Sequence, residues 1–72
     1  MELRGWVELD GRVLPSHELF TLLRTDPRAA ARLGGEFLIS WDGCVARDHF
    51  GIIPGPIPAG TIVCDGRERG KV

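Results

Sequence analysis

Two cysteines, two histidines and several carboxylates are the side chains in this sequence that could bind a metal ion. Cys44, His49 and Cys64 are the natural ligand types, and Asp48 is a fourth oxygen-bearing neighbour. A structural zinc ion needs about four such ligands in tetrahedral geometry, and neither a Cys-x-x-Cys nor a His-x-x-x-His spacing occurs. No glycine-rich segment precedes a Lys-Ser or Lys-Thr pair, as a phosphate-binding loop would require. We therefore expect no metal site and no cofactor.

Nucleophilic catalysis would need Ser16 or Cys44 beside a histidine that a carboxylate orients. His17 follows Ser16 directly, but neighbouring residues at a helix start point in different directions. The two cysteines are expected to be reduced thiols, since the N-terminus does not resemble a secretory signal. If the Cys44 side chain faces the core, its thiolate form is disfavoured and the thiol is a weak nucleophile. We therefore expect no catalytic residue, and an enzyme that uses Cys44 is the least favoured hypothesis.

The charged pair Arg47-Asp48 is the most informative polar motif. It stands at the end of a predicted strand and is followed by an aromatic residue, Phe50, and by Gly51. This composition is unusual for a simple exit from a hairpin. We expect Arg47 to pair with a carboxylate and thereby to fix the corner of the chain.

Short strands joined by tight turns should position these residues. Three Asp-Gly dipeptides, at positions 10–11, 42–43 and 65–66, are typical of two-residue hairpin turns. Strands are expected over residues 3–9, 12–14, 37–41, 44–47 and 61–64. The polar segment from Arg67 to Val72 is expected to pair weakly or to fray.

Helical segments are expected between the second and third strands. Apolar residues at helical spacing predict a helix that begins near Ser16, whose hydroxyl would cap it. Asp26 and Pro27 are a good cap and a good first residue for a second helical segment, which should end near Leu33. The first of these segments should pack on the sheet.

The region from residue 49 to residue 60 should be an ordered loop. It contains three prolines and three glycines, which exclude a helix and a central strand. The whole chain of 72 residues is 43% hydrophobic and 26% charged, which is typical of a globular domain with one modest core. The sequence therefore predicts a single α+β domain over residues 1–72, with a small, mostly antiparallel sheet and one or two helices packed on it.

The charge balance excludes some partners. The formal net charge is −1, so no basic field would attract nucleic acid or an anionic membrane surface. No apolar run approaches the roughly 18 residues that a membrane-spanning helix needs. We expect a cytoplasmic protein that binds neither nucleic acid nor membrane.

Three segments, 33–37, 41–43 and 46–54, together resemble one stretch of the asparagine synthetases. In that family a strand that ends in Trp-Asp is followed by the signature Ala-Arg-Asp-x-Phe-Gly-Ile-x-Pro. The positions that match this signature most tellingly are Arg47, Asp48, Phe50, Gly51 and Pro54. A looser similarity extends back to Trp6. The resemblance implies the N-terminal glutaminase domain of the class II glutamine amidotransferases, here as a truncated N-terminal-nucleophile-hydrolase-like half-sandwich.

The same resemblance implies which residues would bind a substrate. In the family a terminal cysteine attacks the glutamine amide, whereas this sequence begins Met1-Glu2, which implies a domain without catalysis. Gly11 matches the glycine beside the oxyanion hole, and Asp10 stands where the family has an asparagine donor. Asp26 has the residue type that holds the substrate α-amino group. The implied substrate-binding residues are Asp10, Gly11 and Asp26.

Two functions follow from the resemblance. The first is a non-catalytic glutaminase-like domain that acts as an accessory or structural partner of a separately encoded, asparagine-synthetase-like ATP-using subunit. The alternative is an amino-acid-binding domain that retains part of a glutamine pocket. A homodimer or a hetero-complex is expected in either case, because missing strands would expose sheet edges and apolar faces.

Overall fold

The computed structural model describes residues 1–72 as one antiparallel sheet of six strands with helices on one face. The strands are β1 (Glu2–Leu9), β2 (Arg12–Val13), β3 (Gly34–Trp41), β4 (Cys44–Arg47), β5 (Thr61–Cys64) and β6 (Arg67–Lys71). Their order across the sheet is β2-β1-β3-β4-β5-β6. Helix α1 (Ser16–Thr25) and a 3₁₀ helix (Pro27–Arg32) lie between β2 and β3 in the chain. The predicted α+β class, with a mostly antiparallel sheet, is confirmed.

All three Asp-Gly dipeptides form the predicted hairpin turns. In each dipeptide both residues have positive φ, for example 53° at Asp10 and 80° at Gly11, as a type I′ turn requires. The turns set the register of the strands that they join, so that Leu9 pairs with Arg12. Local turn chemistry therefore determines three of the five strand pairings.

The core lies between α1 and one face of the sheet. Val7, Phe37 and Ile39 are fully buried on the strands, and α1 contributes Leu19 and Leu23. Alternation along each strand places the buried residues on a common face. Burial of each such side chain is worth about 1.5–3 kcal/mol, so packing of α1 on the sheet contributes substantially to stability.

The predicted helix caps are wrong. Pro15 occupies the cap position of α1, and Ser16 is already the first helical residue without a capping side chain. The Asp26 side chain makes no cap bond to the 3₁₀ helix. Its carboxylate lies instead 3.9 Å from Arg28 Nε and 3.9 Å from Arg32 Nη2. Charge pairing along the 3₁₀ helix thus takes the place of capping at Asp26.

The C-terminal segment forms a regular edge strand and does not fray. β6 pairs with β5, with a shift of register between Ile62 and Val63. The last residue, Val72, is buried, and its amide donates a hydrogen bond of 2.9 Å to Gly60 O. The prediction of a weakly paired tail was wrong. The segment is polar except for one hydrophobic anchor, the terminal valine, so its composition did not indicate a regular strand.

The two edges of the sheet differ in how they are protected. β2 has only two residues, and β6 carries Arg67, Arg69 and Lys71. Short edges and charged edges are the usual means by which proteins avoid edge-to-edge association. β6 is therefore a protected edge, whereas β2 pairs only with Glu8 and Leu9 and leaves most of β1 without a strand partner on that side. The homodimer or hetero-complex stays a prediction.

Cys44 and Cys64 are joined by a disulfide bond, so the expectation of two reduced thiols is wrong. The two residues lie directly opposite each other on β4 and β5, with Cα atoms 4.0 Å apart. Asp65 N donates to Gly43 O at 3.0 Å beside them, so the cysteines occupy a non-hydrogen-bonded position, where opposed side chains are closest. Spacing alone could not predict this pairing, since it depends on the register across the long loop between β4 and β5.

Candidate functional site

Arg47 ties the loop between β4 and β5 to the end of β4. Its guanidinium group donates to three backbone carbonyls: Nη2 to Gly51 O at 2.7 Å, Nη1 to Ile57 O at 2.9 Å and Nε to Ile53 O at 3.1 Å. The predicted pairing of Arg47 with a carboxylate is wrong. The planar fork of arginine donors suits such a fan of acceptors, which a point charge would not satisfy. Arg47 therefore fixes three separate points of one loop.

Asp48 is the complementary acceptor at the same corner. It is 2% exposed, and its carboxylate accepts three backbone N–H groups: Phe37 N at 3.0 Å, Phe50 N at 3.1 Å and Gly51 N at 3.2 Å. Its own amide donates to Phe37 O at 3.2 Å. Charged acceptors make stronger hydrogen bonds than neutral ones, so Asp48 joins the start of the loop firmly to β3.

The far end of the loop is closed by Gly60 and Thr61. Gly60 N lies 3.1 Å from Arg47 O and 2.9 Å from Asp48 O, and donates to both. The Thr61 hydroxyl donates to Pro58 O at 2.6 Å. Residues 48–60 are thus bound at both ends and in the middle, and we call them the clamped loop.

The clamped loop covers part of the sheet face opposite α1. Leu38 and Arg47 are paired across β3 and β4 and alternate with core residues, so they point to that opposite face. Gly55 packs so closely on Leu38 that a Cβ atom there would lie 2.8 Å from Leu38 Cδ1. Pro54 lines an open cavity of about 490 Å³ between the loop and the strands. The loop is therefore a layer on the sheet and not a free connection.

Phe50 and Ile52 project from the clamped loop into solvent. Phe50 is 82% exposed and Ile52 is 63% exposed, although the backbone at Phe50 is held by Asp48. An exposed aromatic side chain on a fixed backbone is available for contact with another molecule, and aromatic residues are enriched in protein interfaces. Three of the signature residues, Arg47, Asp48 and Gly51, thus hold the backbone of the loop. Pro54 lines the cavity between the loop and the strands, and Phe50 is exposed on the loop.

The three implied substrate-binding residues are not brought together. Asp10 and Gly11 form the turn between β1 and β2, beside the first residue of β3. Asp26 follows the last residue of α1, and the next residue, Pro27, lines the same cavity as Trp41 at the end of β3. A strand of 8 residues spans roughly 25 Å. No cavity of the structure is lined by Asp10, Gly11 or Asp26.

The other chemical candidates are also separated. No group of three or more histidine, cysteine or acidic residues is placed to hold a metal ion, and neither cysteine is a free thiol. His17 lies on α1, while His49 lies in the clamped loop, where Nδ1 is 3.2 Å from the position of a Cβ atom at Gly60. No helix is long and apolar enough to span a bilayer.

Arg47 and Asp48 therefore fix the backbone of the clamped loop, and the loop exposes two apolar side chains, those of Phe50 and Ile52. The sequence singled out Arg47 and Asp48, but it did not reveal that both act on backbone groups. Comparison with known proteins adds no relative to this picture: no family model, no curated protein and no solved structure matches the chain.

Proposed function

We propose that this chain is a non-catalytic glutaminase-like domain, a truncated version of the N-terminal-nucleophile-hydrolase fold, that serves as an accessory partner of an ATP-dependent amide synthetase. The observation that carries the proposal is the clamped loop. Arg47 and Asp48, which carry the resemblance to the asparagine synthetases, are also the residues that hold this loop. The motif that resembles the asparagine synthetases therefore also positions the exposed surface of the clamped loop.

The contact surface consists of Phe50 and Ile52. Association normally costs conformational entropy when a loop becomes ordered on binding. Here the hydrogen bonds of Arg47 and Asp48 already order the loop in the free chain. A phenylalanine that enters a pocket on the partner is the kind of anchor that dominates binding energy. The clamped loop therefore supports docking without rearrangement.

Binding tests the proposal directly. The purified chain is mixed with the asparagine-synthetase-like protein of the same organism, and the mixture is resolved by size-exclusion chromatography with light scattering. We expect the two to elute together at the mass of a complex. Separate elution of the two proteins at high micromolar concentration, with both folded by circular dichroism, would contradict the proposal.

The non-catalytic part of the proposal has its own test. The complex is incubated with glutamine, and released glutamate is measured beside a control that contains the synthetase alone. We expect no glutamate above that control, because the structure holds no free thiol that could act as the nucleophile. Glutamate release that requires this chain would show that it is a glutaminase after all.

The alternative function, binding of an amino acid, stays a prediction without an observation in its favour. Asp10 and Gly11 lie at one end of β3, and Asp26 precedes Pro27, which lines a cavity with Trp41 at the other end. We therefore do not develop it further.

A further inference from the structure

The disulfide bond forms part of the wall of a cavity on the helix-bearing face of the sheet. The cavity has a volume of about 290 Å³, and its wall includes Cys44, Cys64, Trp41 and Ile62. Both cysteines are only half-buried. The cavity therefore reaches both residues of the disulfide.

The charged side chains that line this cavity are both cationic. Arg28 comes from the 3₁₀ helix, and Arg69 comes from β6. Asp26 Oδ1 lies 3.9 Å from Arg28 Nε, and Arg32 Nη2 lies 3.9 Å from Asp26 Oδ2. Both charged residues on the cavity wall are therefore positive, which favours an anionic ligand.

Asp65 is the acidic residue that adjoins Cys64 in the sequence. It belongs to the turn before β6, and its Oδ1 atom lies beside Gly43, at 2.8 Å from the position of a Cβ atom there. It does not line the cavity. An apolar floor of Trp41 and Ile62 with two arginines at the rim suits a molecule with a short carbon chain and a carboxylate.

We propose that the Cys44–Cys64 disulfide is a thiol-exchange site for small thiols that carry a carboxylate. The thiolate of the small molecule attacks one cysteine sulfur, a new S–S bond forms, and the other cysteine leaves as a thiolate. A second small thiolate then attacks the small-molecule sulfur of the mixed disulfide, the bond to the protein sulfur breaks, the cysteine leaves as a second thiolate, and the oxidised dimer of the small thiol departs. Two thiols thus supply the two electrons that reduce the protein disulfide.

The two arginines have a defined role in this exchange. They attract the carboxylate of the incoming thiol, and they stabilise the cysteine thiolate that leaves, since nearby cations favour the thiolate form. The structure contains no free cysteine, so each exchange must begin from a thiol outside the chain.

The test compares three small thiols of different charge on the folded, oxidised protein at neutral pH. The probes are 3-mercaptopropionate, 2-mercaptoethanol and cysteamine, and intact-protein mass spectrometry follows the first mixed disulfide. Rates are divided by the thiolate concentration of each probe. We expect the anionic probe to react about tenfold faster than the cationic one, and Arg28→Gln with Arg69→Gln to remove most of this preference.

Two controls separate a charge effect at this site from a general one. Arg4→Gln alters an arginine that lines the cavity on the opposite face of the sheet, and it should leave the preference unchanged. Salt near 1 M, where the Debye length is about 3 Å, should abolish the preference in the unmodified protein. Equal rates for all three probes, or exchange that occurs only in denaturant, would overturn the proposal.

Discussion

At the scale of single residues, two charged side chains satisfy backbone groups that the loop cannot satisfy itself. The clamped loop contains Pro54, Pro56 and Pro58, which have carbonyl groups but no N–H groups. It therefore has more acceptors than donors, and Arg47 supplies three donors to it. Asp48 does the reverse for N–H groups at the start of the loop.

Substitution of Asp48 should measure what this corner contributes. Asp48→Asn removes the charge and sets an amide N–H₂ group against N–H donors, so we expect the free energy of unfolding to fall by about 1.5–3 kcal/mol. Urea denaturation followed by circular dichroism measures it. Asp42→Asn, in an exposed hairpin turn, is the matched control and should change it by less than about 0.5 kcal/mol. A loss at Asp48 no larger than that of the control would show that the corner is not a major stabilising feature.

At the scale of elements, the sequence predicted strands and turns better than it predicted how the loop lies on the sheet. The Asp-Gly turns were predictable because their chemistry is local. The placement of the clamped loop was not, because it depends on contacts with β1 and β3 that are distant in the chain. Gly5 in β1 is such a contact, since a Cβ atom there would overlap Ile53 of the loop and Glu36 O of β3.

Substitution of Gly5 tests the close packing of the loop on the sheet. Gly5 has φ of +88°, so Gly5→Ala should strain the backbone and displace Ile53. We expect the free energy of unfolding to fall by about 1–3 kcal/mol, together with faster proteolysis of the clamped loop. Gly70→Ala is the control, because the nearest atom to a Cβ there lies at an ordinary 3.9 Å. An equal free energy of unfolding and an equal rate of loop proteolysis in the two variants would contradict the described packing.

At the scale of the whole molecule, a chain of 72 residues has a small core and depends on additional constraints. The sequence predicted the sheet, the hairpins and the packing of α1, because periodicity and turn residues encode them. It did not predict the disulfide, since Cys44 and Cys64 meet only through the register of β4 and β5. The sequence also did not predict where the implied substrate-binding residues lie relative to one another, because the resemblance that implied them is loose over Asp10 to Asp26.

Removal of the disulfide should lower stability substantially. The two cysteines are separated by 20 positions, and closure of a loop of that size is worth about 3 kcal/mol in a chain-entropy model. We expect the double variant Cys44→Ala, Cys64→Ala to lose about that much in urea denaturation. Addition of a strong reductant should lower the free energy of unfolding of the unmodified protein by a similar amount and should leave that of the variant unchanged. A reductant effect on the variant as large as that on the unmodified protein would argue against this explanation.

The most direct test of the account is the affinity of the chain for the amide synthetase, measured by isothermal titration calorimetry for Phe50→Ser beside Val13→Ser. Both side chains are exposed, at 82% and 59%, but Val13 lies on the edge strand β2, away from the clamped loop. We predict that Phe50→Ser weakens binding by at least about tenfold, equivalent to about 1.4 kcal/mol, and that Val13→Ser does not. Equal affinities for both variants and the unmodified chain would contradict docking through the clamped loop.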